Sequence, residues 1–177
     1  MKLGLREAYR FLAPRLTVIV TTYGKDSNAA PFSFVMPVSI DPPMVAIASQ
    51  FGHDTLRNIK ENGEFVLNVP GLEMLTQVKQ TGKKLPYGRS ELKEFNIEIE
   101  ESDEVRPPRL KNCIASFECK LEWMKEAGDH MVIIGRVLKA HVREDLYKDG
   151  ILDIDRAKTL LHVSGSVFAT PNRVEAE

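Results

Sequence analysis

The run Ser49-Gln-Phe-Gly-His-Asp-Thr55 gathers the groups best suited to holding a small anion. It lies between the expected end of a strand and the expected start of a helix. Unpaired backbone N–H groups and the positive end of the helix dipole favour negative charge at such a place. Gly52 lets the backbone approach closely, Ser49 and Thr55 offer hydroxyl donors, and His53 adds a donor that can become cationic. The set suits a single phosphate. Read alone, an ordinary helix cap is the simpler account, because loops of this kind are common.

A second stretch, Ala30-Pro-Phe-Ser-Phe-Val-Met-Pro-Val-Ser39, places Phe32, Phe34 and Met36 on one parity and Ser33, Val35 and Pro37 on the other. A row of large apolar groups could wall a flat ring system. It could equally be core, the default for aromatics at strand spacing. Gly128-Asp-His130 falls in an expected hairpin loop, where a lone histidine is more often structural than catalytic. His141 and His162 read the same way, and the histidines show no close metal-ligand spacing, so no metal site is expected. Asp54 beside His53 is not an acid–base pair, since adjacent residues at a helix start point apart. The chain holds no G-x-S-x-G, no G-x-x-x-x-G-K-[ST] and no G-x-G-x-x-G. A nicotinamide cofactor reacting here would therefore not be held by a Rossmann domain.

These groups need a scaffold, and 177 residues suit one domain spanning 1–177. A chain of that size buries about 70% of its unfolded surface, enough for a core without staples. With 24 basic and 25 acidic side chains the formal net charge is -1, and no basic excess points to a nucleic-acid partner. Any positive patch must be local. The start, MKLGLREAYRFL, lacks the features of a signal peptide, and no apolar run approaches the roughly 18 residues of a membrane span. The expected location is the cytoplasm, with no membrane partner. Cys113 and Cys119 would lie about 20 Å apart in an extended strand, beyond disulfide reach. They read as two small core residues in a reducing compartment.

The periodicity predicts a short amphipathic helix over Leu3 to Leu12, then strands over Thr17–Thr22, Ala30–Ser39 and Met44–Ala48. Pro31 and Pro37 suggest edges, bulges or a bend in the second of these. A helix follows from His53, with Asp54 or Thr55 as N-cap, Leu56 and Ile59 inward and Gly63 as its stop. Glu64–Val69 returns to strand, and Leu72, Leu75 and Val78 suggest a second helix ending at Gly82. Lys83 to Asn112 loses regularity and is expected to act as a lid, with a short strand near Phe95–Glu100. Ala115, Phe117, Cys119, Leu121 and Trp123 then alternate with Ser116, Glu118, Lys120 and Glu122, predicting a strand with one face in the core and one in water. It pairs as a hairpin with Met131–Val142. Many short strands with few helices and frequent Gly/Pro turns indicate a mainly β fold, an antiparallel barrel with a few short helices.

Taken in order, Leu16–Thr22, Asn28–Phe34, Val38–Pro43, Ser49–Ile59, Gly63–Asn68 and Gly128–His130 resemble the flavin-reductase-like, FMN-binding split-barrel family. The likeness is to its flavoredoxin-like and ferric-reductase-like members more than to its pyridoxamine-phosphate oxidase branch. It implies a Greek-key split barrel working as a homodimer, with FMN at the interface. Ser49, His53 and Thr55 would take the phosphate, and Phe34, Val35 and Met36 would flank the isoalloxazine. Gln50, in the same loop as Ser49, would be among the cofactor-binding residues, although Gln50-Phe51-Gly52 departs from many relatives. Asn28 and Ser33 match positions near the flavin. Gly82 with Lys83 or Lys84 would close over the phosphate or ribityl chain, and His130 matches a histidine on the reactive side. The implied chemistry is hydride transfer from NADH or NADPH to FMN, with electrons passed to free flavin, a ferric chelate or a redox partner protein. The alternatives are a non-enzymatic electron carrier and a pyridoxamine-phosphate-oxidase-like enzyme.

Overall fold

The computed structural model describes residues 3–174 and is mainly β. Seven strands make the principal sheet: β1 (Val18–Tyr23), β2 (Ser27–Phe32), β3 (Val35–Ser39), β4 (Met44–Gln50), β5 (Glu64–Val69), β6 (Ala115–Ala127) and β7 (His130–Val142). All neighbours are antiparallel, in the order β2-β1-β5-β6-β7-β4-β3. Helix α1 (Asp54–Asn62) follows β4, α2 (Leu75–Thr81) follows β5, and α3 (Glu91–Glu94) falls in the long connection to β6. Among the described residues no helix is long and apolar enough to cross a membrane.

Alternation built most of this sheet. Val35, Ile47, Ile133 and Met124 lie in register across β3, β4, β7 and β6 and turn into the main core, which also holds Val18, Val20, Phe65 and Leu67. Residues in register share a face, so one step along each strand gives the opposite one. There Met36, Ala46, Ile134 and Trp123 form an outward row. Packing is tight where β7 meets β5 and β6: a Cβ on Gly135 would overlap the Phe65 ring. Glycine is required there because two layers of chain meet.

The single strand expected over Ala30–Ser39 is broken. β2 ends at Phe32 and β3 begins at Val35, and the two are opposite edges of the sheet. Phe32, Phe34 and Met36 therefore do not form one row: Phe32 is in the core and Met36 is 60% exposed. The hairpin is present but longer than expected, and Trp123 is half exposed rather than in the core. The reverse holds for Glu118, expected in water and found fully buried. Segment 101–110 lies over that face, and the Glu118 carboxylate accepts the N–H groups of Asp103 (3.1 Å) and Glu104 (2.7 Å). His141 Nε2 (2.9 Å) and Arg109 Nε (3.6 Å) complete its surroundings. A second small core beneath the same connection joins Leu92, Ile97 and Leu110 to Ile19 and Val78.

Helix α1 stops at Gly63 with φ of 72° and buries Leu56 and Ile59, as expected. Its N-cap is His53, not Asp54 or Thr55, because the helix begins one residue earlier than the capping preference suggested. The N-terminal helix is a 3₁₀ segment over Leu5–Leu12, and none of its residues is buried. Both cysteines are free and buried, and burial pushes the Cys113 thiol up to about 12.

Two predictions follow from packing and charge. Gly135→Ala must displace Phe65 or the β7 backbone and should cost about 1–3 kcal/mol, read as a lower denaturation midpoint with unchanged m-value. Burial alone would raise the Glu118 carboxyl, but the two N–H donors and His141 outweigh it and hold it below its ordinary value. A lowered carboxyl stabilises fully above the unfolded pKa, and that contribution is lost as pH falls through the folded one. The protection of the Asp103 and Glu104 amides, taken relative to their intrinsic exchange rates, should therefore be high near neutrality and fall as the Glu118 carboxyl protonates on acidification. Protection that ignores acidification would refute this role.

Candidate functional site

Three residues, Phe51-Gly-His53, carry the chain from the end of β4 into α1. Gly52 sits at φ of 86°, a conformation that side chains oppose, and a Cβ there would meet nothing within 4 Å. The backbone of this turn is bare. It borders a cavity of about 1520 Å³ running between β2, the β4–α1 turn, the end of α2 and the β6–β7 hairpin tip. Ligand pockets commonly measure about 300–1,000 Å³, so this one can take a mononucleotide and leave room for a second ligand.

The expected site residues largely converge on it. Asn28, Ser33, Phe34, Gln50, His53, Thr55, Gly82, Lys83, Lys84 and His130 all line the cavity. Three do not. Ser49 is buried, with its hydroxyl on the Gln50 carbonyl (3.3 Å), because its side of β4 faces inward. Val35 packs against the main core, and Met36 points out of the barrel on the opposite face. Within one chain, then, the break at Ser33-Phe34 leaves Phe34 alone of the apolar trio at the cavity.

One end of the cavity is cationic and polar. His53 and Thr55 stand at the start of α1, where the first N–H groups lack helical partners. Lys83 and Lys84 approach from the loop after α2, with the Lys83 ammonium 5.1 Å from the Phe95 ring centroid. Tyr87 is held between Arg57 (4.0 Å) and Lys25 (5.2 Å), which ties this loop across the helix start. Beneath lies a buried polar network. Asn28 Nδ2 donates to Glu91 (2.8 Å), the Ala29 N–H donates to the same carboxylate oxygen (3.1 Å), and Asn58 Nδ2 donates to Thr22 (3.0 Å). Burial raises the Glu91 carboxyl, assisted by the charge of Asp54, while the hydrogen bonds oppose that rise.

The other end is aromatic. The His130 ring stacks on Phe34 with centroids 5.2 Å apart, and its Nδ1 meets the Asp129 carboxylate at 2.6 Å. That contact holds the Asp129 carboxyl below its usual range. Tyr9 meets the Phe34 ring edge-on at 6.0 Å, and the Arg15 guanidinium lies 5.6 Å from Phe34 and 5.8 Å from Tyr9. Ser33 Oγ is 3.3 Å from His162 Nδ1, whose Nε2 faces the Gly165 carbonyl at 3.1 Å. The carbonyl requires the proton on Nε2, so Ser33 donates to Nδ1.

Sequence reasoning missed Glu91, Arg6, Tyr9 and Tyr87, all at the cavity. Glu91 had a usable signal: Ser90 accepts from the Lys93 N–H as N-cap of α3, and Ser followed by Glu is a helix-start pattern. The cluster of Asp103, Glu118 and His141 was also invisible, because its members are far apart in the chain. Arg109 and Lys139 lie 3.6 and 3.8 Å from its two carboxylates, and the group balances its charge as an ion-pair network.

The flavin reductase like domain matches residues 9–169. An uncharacterised protein of Pyrococcus abyssi is 36% identical over 165 residues, covering 93% of this chain and 94% of the relative. Among solved structures, nitrilotriacetate monooxygenase component B from Bacillus cereus superposes with a TM-score of 0.89 at 26% identity, over 99% of this chain and 95% of that one. The flavoredoxin from Methanosarcina acetivorans gives 0.87 at 21% identity over 100% and 94%, a likeness of fold. The domain match runs through nearly the whole chain and the architecture is shared, so this chain belongs to the flavin reductase-like family of split-barrel flavoproteins.

Proposed function

We propose that this protein is an FMN-binding oxidoreductase that accepts hydride from NADH or NADPH and passes electrons to free flavin, a ferric chelate or a redox partner protein. The observation that carries the reading is the polarity of the cavity. Its cationic end, at the start of α1, suits one phosphate, and its aromatic end suits a flat ring. The donor set fits the group: His53 and Thr55 with the bare turn at Gly52 would hold the phosphate, and Lys83 and Lys84 would close over it. Phe34 and Pro31 offer apolar surface for the ring, and Ser33 and Gln50 offer polar atoms at its edge. When bound, FMN supplies the hydride-accepting chemistry that side chains lack.

The chain's own residues bind, orient and adjust charge. Asp129 fixes the His130 ring through Nδ1 and leaves Nε2 to accept or return a proton. Stacking on Phe34 sets the ring plane. The buried Asn28–Glu91 pair stiffens the edge strand that forms the cavity floor.

The purified protein should bind FMN and show an oxidised-flavin spectrum that NADH or NADPH bleaches under anaerobic stopped flow. His130→Ala should retain FMN and bleach about 10²-fold more slowly, the lower range for one positioned proton-transfer group. Failure to take up FMN would overturn the proposal. Uptake without bleaching by either nucleotide would make the protein an electron carrier.

We also propose a homodimer. Met36, Val38 and Trp123 lie exposed on the outer face of β3 and β6, flanking Ala46 and Ile134. An apolar row of this kind on a barrel exterior is what a self-complementary two-fold interface requires. Light scattering should give twice the chain mass, and Trp123→Glu should shift the protein toward monomer. A monomeric wild type that still binds FMN would rule out a shared site.

A further inference from the structure

The cavity has a second cation-bearing border that the phosphate end does not use. The 3₁₀ segment Leu5–Leu12 has no buried residue, so its own packing does not explain its position. It is fastened by the contacts of Tyr9: the ring against Phe34, the Arg15 guanidinium over both rings, and Arg15 Nη1 donating to the Tyr9 carbonyl at 3.0 Å. A 3₁₀ helix has three residues per turn, so Arg6 stands directly in line with Tyr9, one turn earlier. Both side chains line the cavity. Arg10 pairs with Glu7, whereas Arg6 has no hydrogen-bond or ion-pair partner among the described residues. The nearby carboxylate at this end, Asp129, is engaged by His130.

We propose that Arg6 recognises the anionic group of the second ligand, the electron donor or acceptor that shares the cavity with flavin. This rests on the flavin reading above and names the chemistry of what lies beside the flavin. A mononucleotide leaves part of the 1520 Å³ open, and the Tyr9 and His130 rings border that remainder. A planar ligand can stack there, with its phosphate or carboxylate reaching out to Arg6. A guanidinium suits either group, since its fork of N–H donors matches both. The 3₁₀ segment thus acts as a specificity arm, with Tyr9 as its anchor and Arg6 as its reading group.

The test compares wild type, Arg6→Ala, Arg6→Glu and Arg6→Lys. FMN affinity is measured first, then each FMN-loaded protein is titrated calorimetrically with NADP⁺, NAD⁺ and ferric citrate. FMN affinity should be equal in all four proteins. Binding of at least one titrant should weaken about tenfold in Arg6→Ala, the scale of one charge-assisted hydrogen bond. It should weaken further in Arg6→Glu and recover partly in Arg6→Lys. Loss for NADP⁺ alone assigns Arg6 to the 2′-phosphate, loss for both nucleotides to their shared pyrophosphate, and loss for ferric citrate alone to an acceptor carboxylate. Unchanged affinity for all three in both Arg6→Ala and Arg6→Glu overturns the proposal, as does a wild type that binds FMN but none of them. A wild type that takes up no FMN fails at the first step, removing the flavin reading and this inference with it.

Discussion

The chain has two residues, Ser33 and Phe34, in which to pass from one edge of a seven-stranded sheet to the other. β2 ends at Phe32 and β3 starts at Val35, and these strands are the outermost in the sheet order. The three steps from Phe32 to Val35 span at most about 11 Å. A flat sheet of that width would hold its edges far further apart, so the sheet must curl until they meet. The main core is whatever fits inside the curl, with Phe32 from one edge and Ile47 from beside the other in a single cluster. The cavity opens where the crossing occurs, which is why Ser33 and Phe34 line it and their neighbours Val35 and Met36 do not. Once this crossing is fixed, the hairpin tip with His130 and the start of α1 are brought to the same place by the pairing of β4 with β7.

Much of the fold was legible because it rests on local periodicity. The α1 helix with its glycine stop, the β6–β7 hairpin and the buried cysteines all follow from patterns within a dozen residues. The misreadings have a common cause in long-range contact. Glu118 looked solvated until segment 101–110 was folded over it, and Trp123 looked buried until the bulge between Leu121 and Trp123, opposite Ile134 and Gly135, turned it to the outer face. The strand break at Ser33-Phe34 has no strong local mark, since Pro31 and Pro37 flank it at a distance.

The site shows the same division. Its anion-binding turn was visible in the types and spacing of Gly52, His53 and Thr55. Convergence of Lys83 and His130 on that turn was available only through family resemblance, since no periodicity brings residues so far apart together. Arg6 and Tyr9 were hidden because the amphipathic pattern of their segment pointed to core packing, whereas the segment lies on the surface and is held through the contacts of Tyr9 with Phe34 and Arg15. Glu91 was hidden in a stretch read as irregular. Its hydrogen bonds to Asn28 and Ala29 join that stretch to the cavity floor.

The placement of sulfur has a consequence for wear. A thiol held up at about 12 has almost no thiolate at neutral pH, and Cys113 is enclosed by the second core. Cys119 is likewise sealed, and its thiol is pushed up by burial. Peroxide formed near the protein would find neither of them reactive. The thioether of Met36, 60% exposed on the outer face of the single chain, is open to it whenever the chains of the proposed dimer are apart. Oxidation there turns an apolar contact into a polar sulfoxide, a lesion that reductases can repair. Chemical ageing of this protein would thus begin at its outer apolar face and leave the core untouched.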